Sequence, residues 1–159
     1  MLKQLSGVDR YRRLDEGAGL GAVARGSYGN VYIAIDRDSS GTVAVKRQEM
    51  PSNAAAKELA YYKALSQYPH PNVMALLDHF TLNSKKQSLL YMVFDVMDGD
   101  LWHVWKGHRR LLPLADSKRY LHQLVKGVAH LHGHGIVHAD LSMANLLLGR
   151  RGGDRLRAK

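Results

Sequence analysis

GAGLGAVARGSYGNVYIAI, residues 17–35, holds three overlapping phosphate-binding patterns, and each belongs to a different fold. Glycine at this density brings a backbone close to something, and phosphate is the commonest something. Gly17-Ala18-Gly19-Leu20-Gly21-Ala22 fits the dinucleotide fingerprint G-x-G-x-x-G/A. Gly21 to Gly26 has the glycine spacing of a P-loop. Gly26-Ser27-Tyr28-Gly29-Asn30-Val31 is a glycine turn that leads directly into a β-branched strand. The flanks decide among them. The dinucleotide pattern needs a buried strand before Gly17 and a helix after it, yet YRRLDE (11–16) is too polar and SYGNVYIAI follows. The P-loop needs Lys-Ser/Thr after its second glycine, where this chain has Ser27-Tyr28. Strand, glycine turn, strand is what remains.

Outward from that turn, Val31 to Ile35 and Thr42 to Lys46 read as a hairpin, joined by the turn residues of RDSSG (37–41). Pro51-Ser52-Asn53 precedes AAAKELAYYKAL (54–65), a capped helix that is broken by His70-Pro71-Asn72. Ala75 to Thr81 and Ser88 to Val96 read as strands, the second apolar almost throughout and so buried. Met97-Asp98-Gly99 is a connector, and everything after it reads as helix. Tyr120 to His132 places Leu121, Leu124, Val125, Val128 and Leu131 on one face. Residues 1 to 16 read as a polar, irregular extension packed loosely on the rest. The order predicts an α+β fold of two lobes rather than a doubly wound sheet. An N-terminal antiparallel β-sheet lobe with one helix precedes the start of a mainly helical C-terminal lobe.

Bulk properties narrow the class. A chain of 159 residues, 45% hydrophobic and 23% charged, suits one globular unit with a real core. No apolar run approaches the ~18 to 20 residues that span a bilayer, no signal peptide opens the chain, and no membrane partner is expected. Cysteine is absent, which excludes disulfides and thiolate metal sites and predicts an intracellular location, cytoplasmic or nuclear. The formal charge of +9 raises the question of nucleic acid. RRGGDRLRAK (150–159) has five basic residues and one acid, so +4 of the total lies in one segment. Basic residues elsewhere do not interleave with aromatics, and the reading is a solvated basic surface with no nucleic-acid partner. His130, His132, His134 and His138 lack any carboxylate spacing that would support a metal cluster.

In the strand–turn–strand context the sequence resembles the eukaryotic protein kinases, most similarly the cyclin-dependent kinases, over roughly residues 20 to 157. Gly26-Ser27-Tyr28-Gly29-Asn30-Val31-Tyr32 resembles the glycine-rich loop, Val43-Ala44-Val45-Lys46 the lysine strand, and Glu58 the acid of the following helix. LYMVFDVMDGDL (90–101) resembles the fifth strand and interlobe hinge; His138-Ala139-Asp140, with Asn145 after four residues, resembles the catalytic loop. The resemblance implies an extension at 1–19 and a partial kinase domain at 20–159. Within it, 20–96 would be the first lobe, 97–100 the hinge and 101–159 the start of the second. It implies transfer of the ATP γ-phosphate to a serine or threonine hydroxyl of a protein substrate, with Mg2+. Lys46 would hold the α- and β-phosphates and be held by Glu58. Asp140 would orient the hydroxyl and accept its proton, and Asn145 would ligate a metal ion. Gly26, Ser27, Tyr28 and Gly29 would lie by the phosphates, with Val23, Val31, Ala44 and Leu147 closing on adenine. Phe94 would sit at the back of the pocket, the backbones of Asp95 and Met97 would read the adenine edge, and Asp100 would lie near the ribose. Ser27 and Tyr28 match the paired hydroxyl residues whose phosphorylation inhibits these kinases.

Several positions depart from the family pattern. Ala24 replaces the first glycine, Ala139 the arginine before the catalytic aspartate, and Ser142 the catalytic-loop lysine. PSNAAAKE (51–58) is similar to a cyclin-binding helix signature but one residue longer, so a cyclin or other regulatory subunit is an expected partner. After Asn145 the chain runs LLLGRRGGDRLRAK with no Asp-Phe-Gly, and it reads as roughly the first half of a kinase domain. Two functions follow: a kinase that is inactive as the 159-residue chain, or a degenerate kinase that binds a nucleotide or partner without catalysis.

Overall fold

The burial of Tyr32, Ala34 and Asp36 alternates with the half-buried Val31, Ile33 and Ile35 and marks a strand with two different faces, and the computed structural model builds a sheet around it. The structure describes residues 7–14, 24–26, 29–109, 111–149 and 155–159. They form two compact units, 1–67 with 76–96, and 68–75 with 97–159.

The first unit is a six-stranded antiparallel sheet with one long helix. Its strands are β1 (Tyr11–Arg13), β2 (Ala24–Gly26), β3 (Gly29–Asp36), β4 (Thr42–Met50), β5 (Leu76–Asn83) and β6 (Ser88–Asp95). The order is β1-β3-β4-β6-β5, and β2 also pairs with β3. β1 and β2 share one edge of β3, opposite residues 34–36 and 29–31 respectively. Tyr11, Ala34, Val43, Val45 and Val93 form the core of one face with Phe80 and Tyr91. On β6 the intervening Leu90, Met92 and Phe94 are buried too, which is why that strand is apolar on both faces. Helix α2 (Asn53–Leu65) buries Ala55, Tyr62 and Leu65, a stripe at helical spacing, and Tyr62 meets Phe94 edge-on at 5.0 Å. Its start is fixed by Ser52, whose hydroxyl accepts from the Ala55 amide at 3.3 Å.

Residues 7–13 differ from the predicted loose extension. A single turn, α1 (Gly7–Arg10), leads into β1, whose Tyr11 is buried and stacks on Phe80 at 5.9 Å. Arg10 forks onto Asp36 at 2.8 and 2.9 Å, and Tyr11 donates to Asp78 at 2.8 Å. In a segment that read as a loosely packed extension, Arg10 and Tyr11 are bonded partners of the sheet. The Arg10 guanidinium, with Ser39 and the Asp38 amide, holds the Asp36 carboxyl well below the usual carboxylate range.

The second unit holds α3 (Leu101–Gly107), α4 (Leu114–Gly133), a 3-10 turn at Met143–Asn145, and a sheet of β7 (Met97–Asp100), β8 (Leu146–Gly149) and β9 (Leu156–Ala158) in the order β7-β8-β9. The reading of everything beyond 99 as helix is corrected by these strands. Leu146, Leu148, Leu156 and Ala158 pack on Leu101 and Tyr120, with Leu124 and Met143 against them. Asn72 ties the unit together, donating to the Leu156 carbonyl at 2.8 Å and to Gln123 at 3.0 Å. The face predicted on α4 is only partly buried: Leu131 is inside, Leu121 and Val125 are exposed, and Tyr120 and Gly127 supply the remaining buried positions.

Candidate functional site

In the first unit, strand alternation puts Ala44, Lys46 and Gln48 on the β4 face that α2 covers. Lys46 is only 9% exposed, so its ammonium needs a partner. Glu58 supplies it from α2, accepting from Nζ at 2.6 Å on Oε1 and 2.8 Å on Oε2. Three hydrogens sit on that ammonium, and Glu58 occupies two directions. Gln48 also reaches Glu58, its Nε2 donating to Oε2 at 3.0 Å. Tyr62, one turn on, has its phenol pushed up by burial and by Glu58, and stays a neutral ring.

Around this pair the other predicted positions fall into register. Val31 pairs with Lys46, Ala44 with Phe94, and Val43 with Asp95. Phe94 is buried, Val31 and Ala44 are half-buried, and Asp95 is exposed. Gly26 and Gly29 face each other where the β2–β3 hairpin turns. Gly29 has φ +115°, and a Cβ there would collide with the Arg47 carbonyl. Its backbone thus demands glycine before any ligand is considered. Val23, Ser27 and Tyr28 lie outside the described residues, as do Gly17, Gly19 and Gly21.

In the second unit Met97 pairs with Gly149, and Asp100 with the half-buried Leu147. The segment predicted as the hinge, residues 97–100, forms a short strand. The Asp100 carboxylate caps α3, accepting from the His103 amide at 2.9 Å and facing the same residue's ring at 2.9 Å. Asp140 is exposed and follows Ala139, whose φ is +62°. Asn145 donates through Nδ2 to the Asp140 carbonyl at 2.9 Å and to Oδ2 at 2.7 Å. The Asp140 amide donates to His138 Nδ1 at 3.3 Å. His138 therefore carries its proton on Nε2, which is buried without a partner among the described residues. His130 and His134 instead join a ring stack with His70 and Tyr68, at centroid distances of 4.5 to 4.7 Å.

The donor chemistry fits a hard cation in part. With Nδ2 directed at Asp140, the Asn145 carbonyl oxygen remains as one neutral ligand. No group of three or more His, Cys, Asp or Glu able to hold a metal occurs among the described residues. Magnesium is commonly held by one or two protein oxygens plus phosphates and water, so Asn145 suffices as one protein ligand. No helix among the described residues is long and apolar enough to cross a membrane.

Sequence reasoning paired Lys46 with Glu58 and put Asp140 and Asn145 in one loop with separate roles; the structure brings the first two into contact and also joins the second two. It passed over Gln48, which the two-residue strand period after Lys46 would have found.

The sequence profile of the family described as protein kinase domain matches residues 19–157. Cyclin-dependent kinase B2-1 of Oryza sativa subsp. japonica is 35% identical over 158 residues, covering 93% of this chain and 46% of the relative. Cell division control protein 2 homolog C of Antirrhinum majus is 32% identical over 152 residues, covering 89% of this chain and 48% of the relative. Cyclin-dependent kinase 8 of Caenorhabditis briggsae is 32% identical, with 24% of its length covered. The chain thus spans about half the length of the first two relatives.

Proposed function

The chain belongs to the protein kinase domain family, and from that premise we propose that its residues serve phosphoryl transfer from ATP to serine or threonine hydroxyls of a protein substrate. The observation that carries this reading is the Lys46–Glu58 contact, a buried cation held by a helix with one direction open among the described residues. Phosphoryl transfer needs alignment and charge neutralisation more than covalent help. Lys46 gives its remaining hydrogen to the α- and β-phosphates, and the Gly26–Gly29 turn brings backbone amides beside them. Val31, Ala44, Leu147 and, outside the described residues, Val23 give apolar surface to adenine. Phe94 stands behind it, and Asp95 and Met97 offer main-chain groups.

Asp140 takes the hydroxyl proton on its carboxylate, whose Oδ2 is oriented by Asn145. Magnesium, when bound, neutralises phosphate charge, and Asn145 Oδ1 is the ligand this chain offers. The capping duty of Asp100 leaves its carboxylate less disposed to a ribose than the resemblance implies. Two of the relatives are named cyclin-dependent, and a regulatory subunit docking near α2 goes with this reading, as does a place in the cytoplasm or nucleus. Ser27 and Tyr28 are proposed as inhibitory phosphorylation sites beside the phosphates, where each would add about −1.5 to −2 charge.

For the 159 residues by themselves, a binding module without turnover is the second reading. Ser142 and Ala139 remove two cations from the loop around Asp140, and no Asp-Phe-Gly carboxylate is present to hold a second metal. The test is direct. The 159-residue protein should bind a fluorescent ATP analogue with Mg2+, lose that affinity at least about tenfold as Lys46→Met, and transfer no phosphate to a basic peptide. Binding unchanged in Lys46→Met overturns the anchor. Transfer abolished by Asp140→Asn overturns the non-catalytic reading of the 159 residues.

A further inference from the structure

A flexible lysine and a flexible glutamate do not fix each other's orientation. An ammonium is a point charge without a plane, and Glu58 lies at 27% side-chain exposure, where water competes for it. Gln48 supplies the missing constraint. It is 8% exposed, and its backbone is set in the middle of the sheet, opposite Leu90 on β6. Burying an amide nitrogen costs free energy unless it is hydrogen-bonded, and the Nε2 bond to Glu58 Oε2 meets that need for the donor end of Gln48. The other end of the side chain matters as well. A Cβ built on Gly29 would lie 3.0 Å from Gln48 Cγ, so the stem of Gln48 lies under the glycine turn while its head holds the glutamate.

We infer that Gln48 is a positioning residue. It pins the Glu58 carboxylate so that both oxygens grip Lys46, and it couples that grip to the seat of the glycine turn. The inference rests on the reading of Lys46 as the phosphate anchor, and its test has one arm that needs no nucleotide.

Gln48→Met keeps the length and removes the donor; Gln48→Asn keeps the amide but is one carbon short of Glu58. In the nucleotide-free arm, acetic anhydride labelling mapped by mass spectrometry reads how well Lys46 is protected relative to the other lysines. Both variants are expected to speed Lys46 acetylation by about tenfold, the effect of losing one hydrogen bond to a charged group. In the second arm, Gln48→Met weakens binding of the fluorescent ATP analogue about tenfold when Lys46 is present and changes nothing in the Lys46→Met background. Wild-type acetylation rates in both variants overturn the inference, as does an equal loss of affinity with and without Lys46. Absence of nucleotide binding by the wild-type protein would sink the phosphate-anchor reading alone, and the acetylation rates then decide Gln48. Far-UV circular dichroism identifies a variant that has lost its fold, and the other variant then carries the comparison.

Discussion

At Ala139 the backbone takes φ +62°, a left-handed conformation that costs a non-glycine residue roughly 1–2 kcal/mol. The reward is local: the Asp140 amide turns onto His138 Nδ1 while Asn145 holds the carboxylate. Ala139→Gly should relieve that cost, less the roughly 0.5–1 kcal/mol of extra chain entropy that glycine loses on folding. The expected net gain is about 0.5–1 kcal/mol, a rise in Tm of a few degrees by circular dichroism for a chain of this size, and a fall in Tm would contradict the strain argument. His70 makes a second single-residue case. Burial, then His130 and Lys126, lowers its pKa, and its Nδ1 accepts the Asn72 amide at 3.1 Å. The fold prefers the neutral ring. Its stability is therefore complete above the unfolded value of about 6.5 and is lost as pH falls through the lower folded value. Thermal melts between pH 7.5 and 5 should show this decline, and His70→Leu should make it shallower.

At the scale of elements, α4 shows two effects of opposite sign at one position. Gly127 lies in a helix interior, where alanine normally gains about 1 kcal/mol. A Cβ there would stand 2.7 Å from the Asn72 carbonyl oxygen. Asn72 cannot give way, because its side chain holds Leu156 and Gln123 and its carbonyl accepts the Ala158 amide at 2.9 Å. Overpacking of this kind costs about 1–3 kcal/mol and outweighs the helix gain. Gly127→Ala should lower stability by about 1–2 kcal/mol in urea unfolding, and an increase would mean that the Asn72 loop yields. The same helix shows what the sequence could reveal. Its existence was legible from the 3.6-residue period, but its inner face was not, because Leu121 and Val125 fit that period and yet stay exposed. β8 and β9 escaped notice because runs of three or four apolar residues fit helix and strand alike. α2 was legible to within a residue, since Ser52 and the alanines of its first turn leave one place to start.

For the molecule as a whole, the fold class and the Lys46–Glu58 pairing were readable, and Asp140 and Asn145 could be placed in one loop, because motif order and spacing survive without coordinates. What stayed hidden was coverage: which apolar residues a neighbouring segment shields depends on tertiary packing, and no local pattern records it. In the second unit Leu111, Leu114, Leu121, Val125, Val137 and Leu141 are between 49% and 79% exposed. Leu114, Leu121 and Val125 lie seven and four residues apart on α4, one stripe of a single helix face. Contiguous apolar surface of this kind drives association in water. Polar replacements at positions this exposed change stability by no more than about 0.5 kcal/mol, so self-association and folding can be read separately. The 159-residue protein should sediment with a concentration-dependent mass, and the double variant Leu121→Gln, Val125→Gln should sediment as a monomer with an unchanged Tm. If the wild-type protein remained monomeric across the same concentrations, the stripe would not be an associating surface. If the variant lost Tm, its two side chains would have to be packing within the fold rather than facing water.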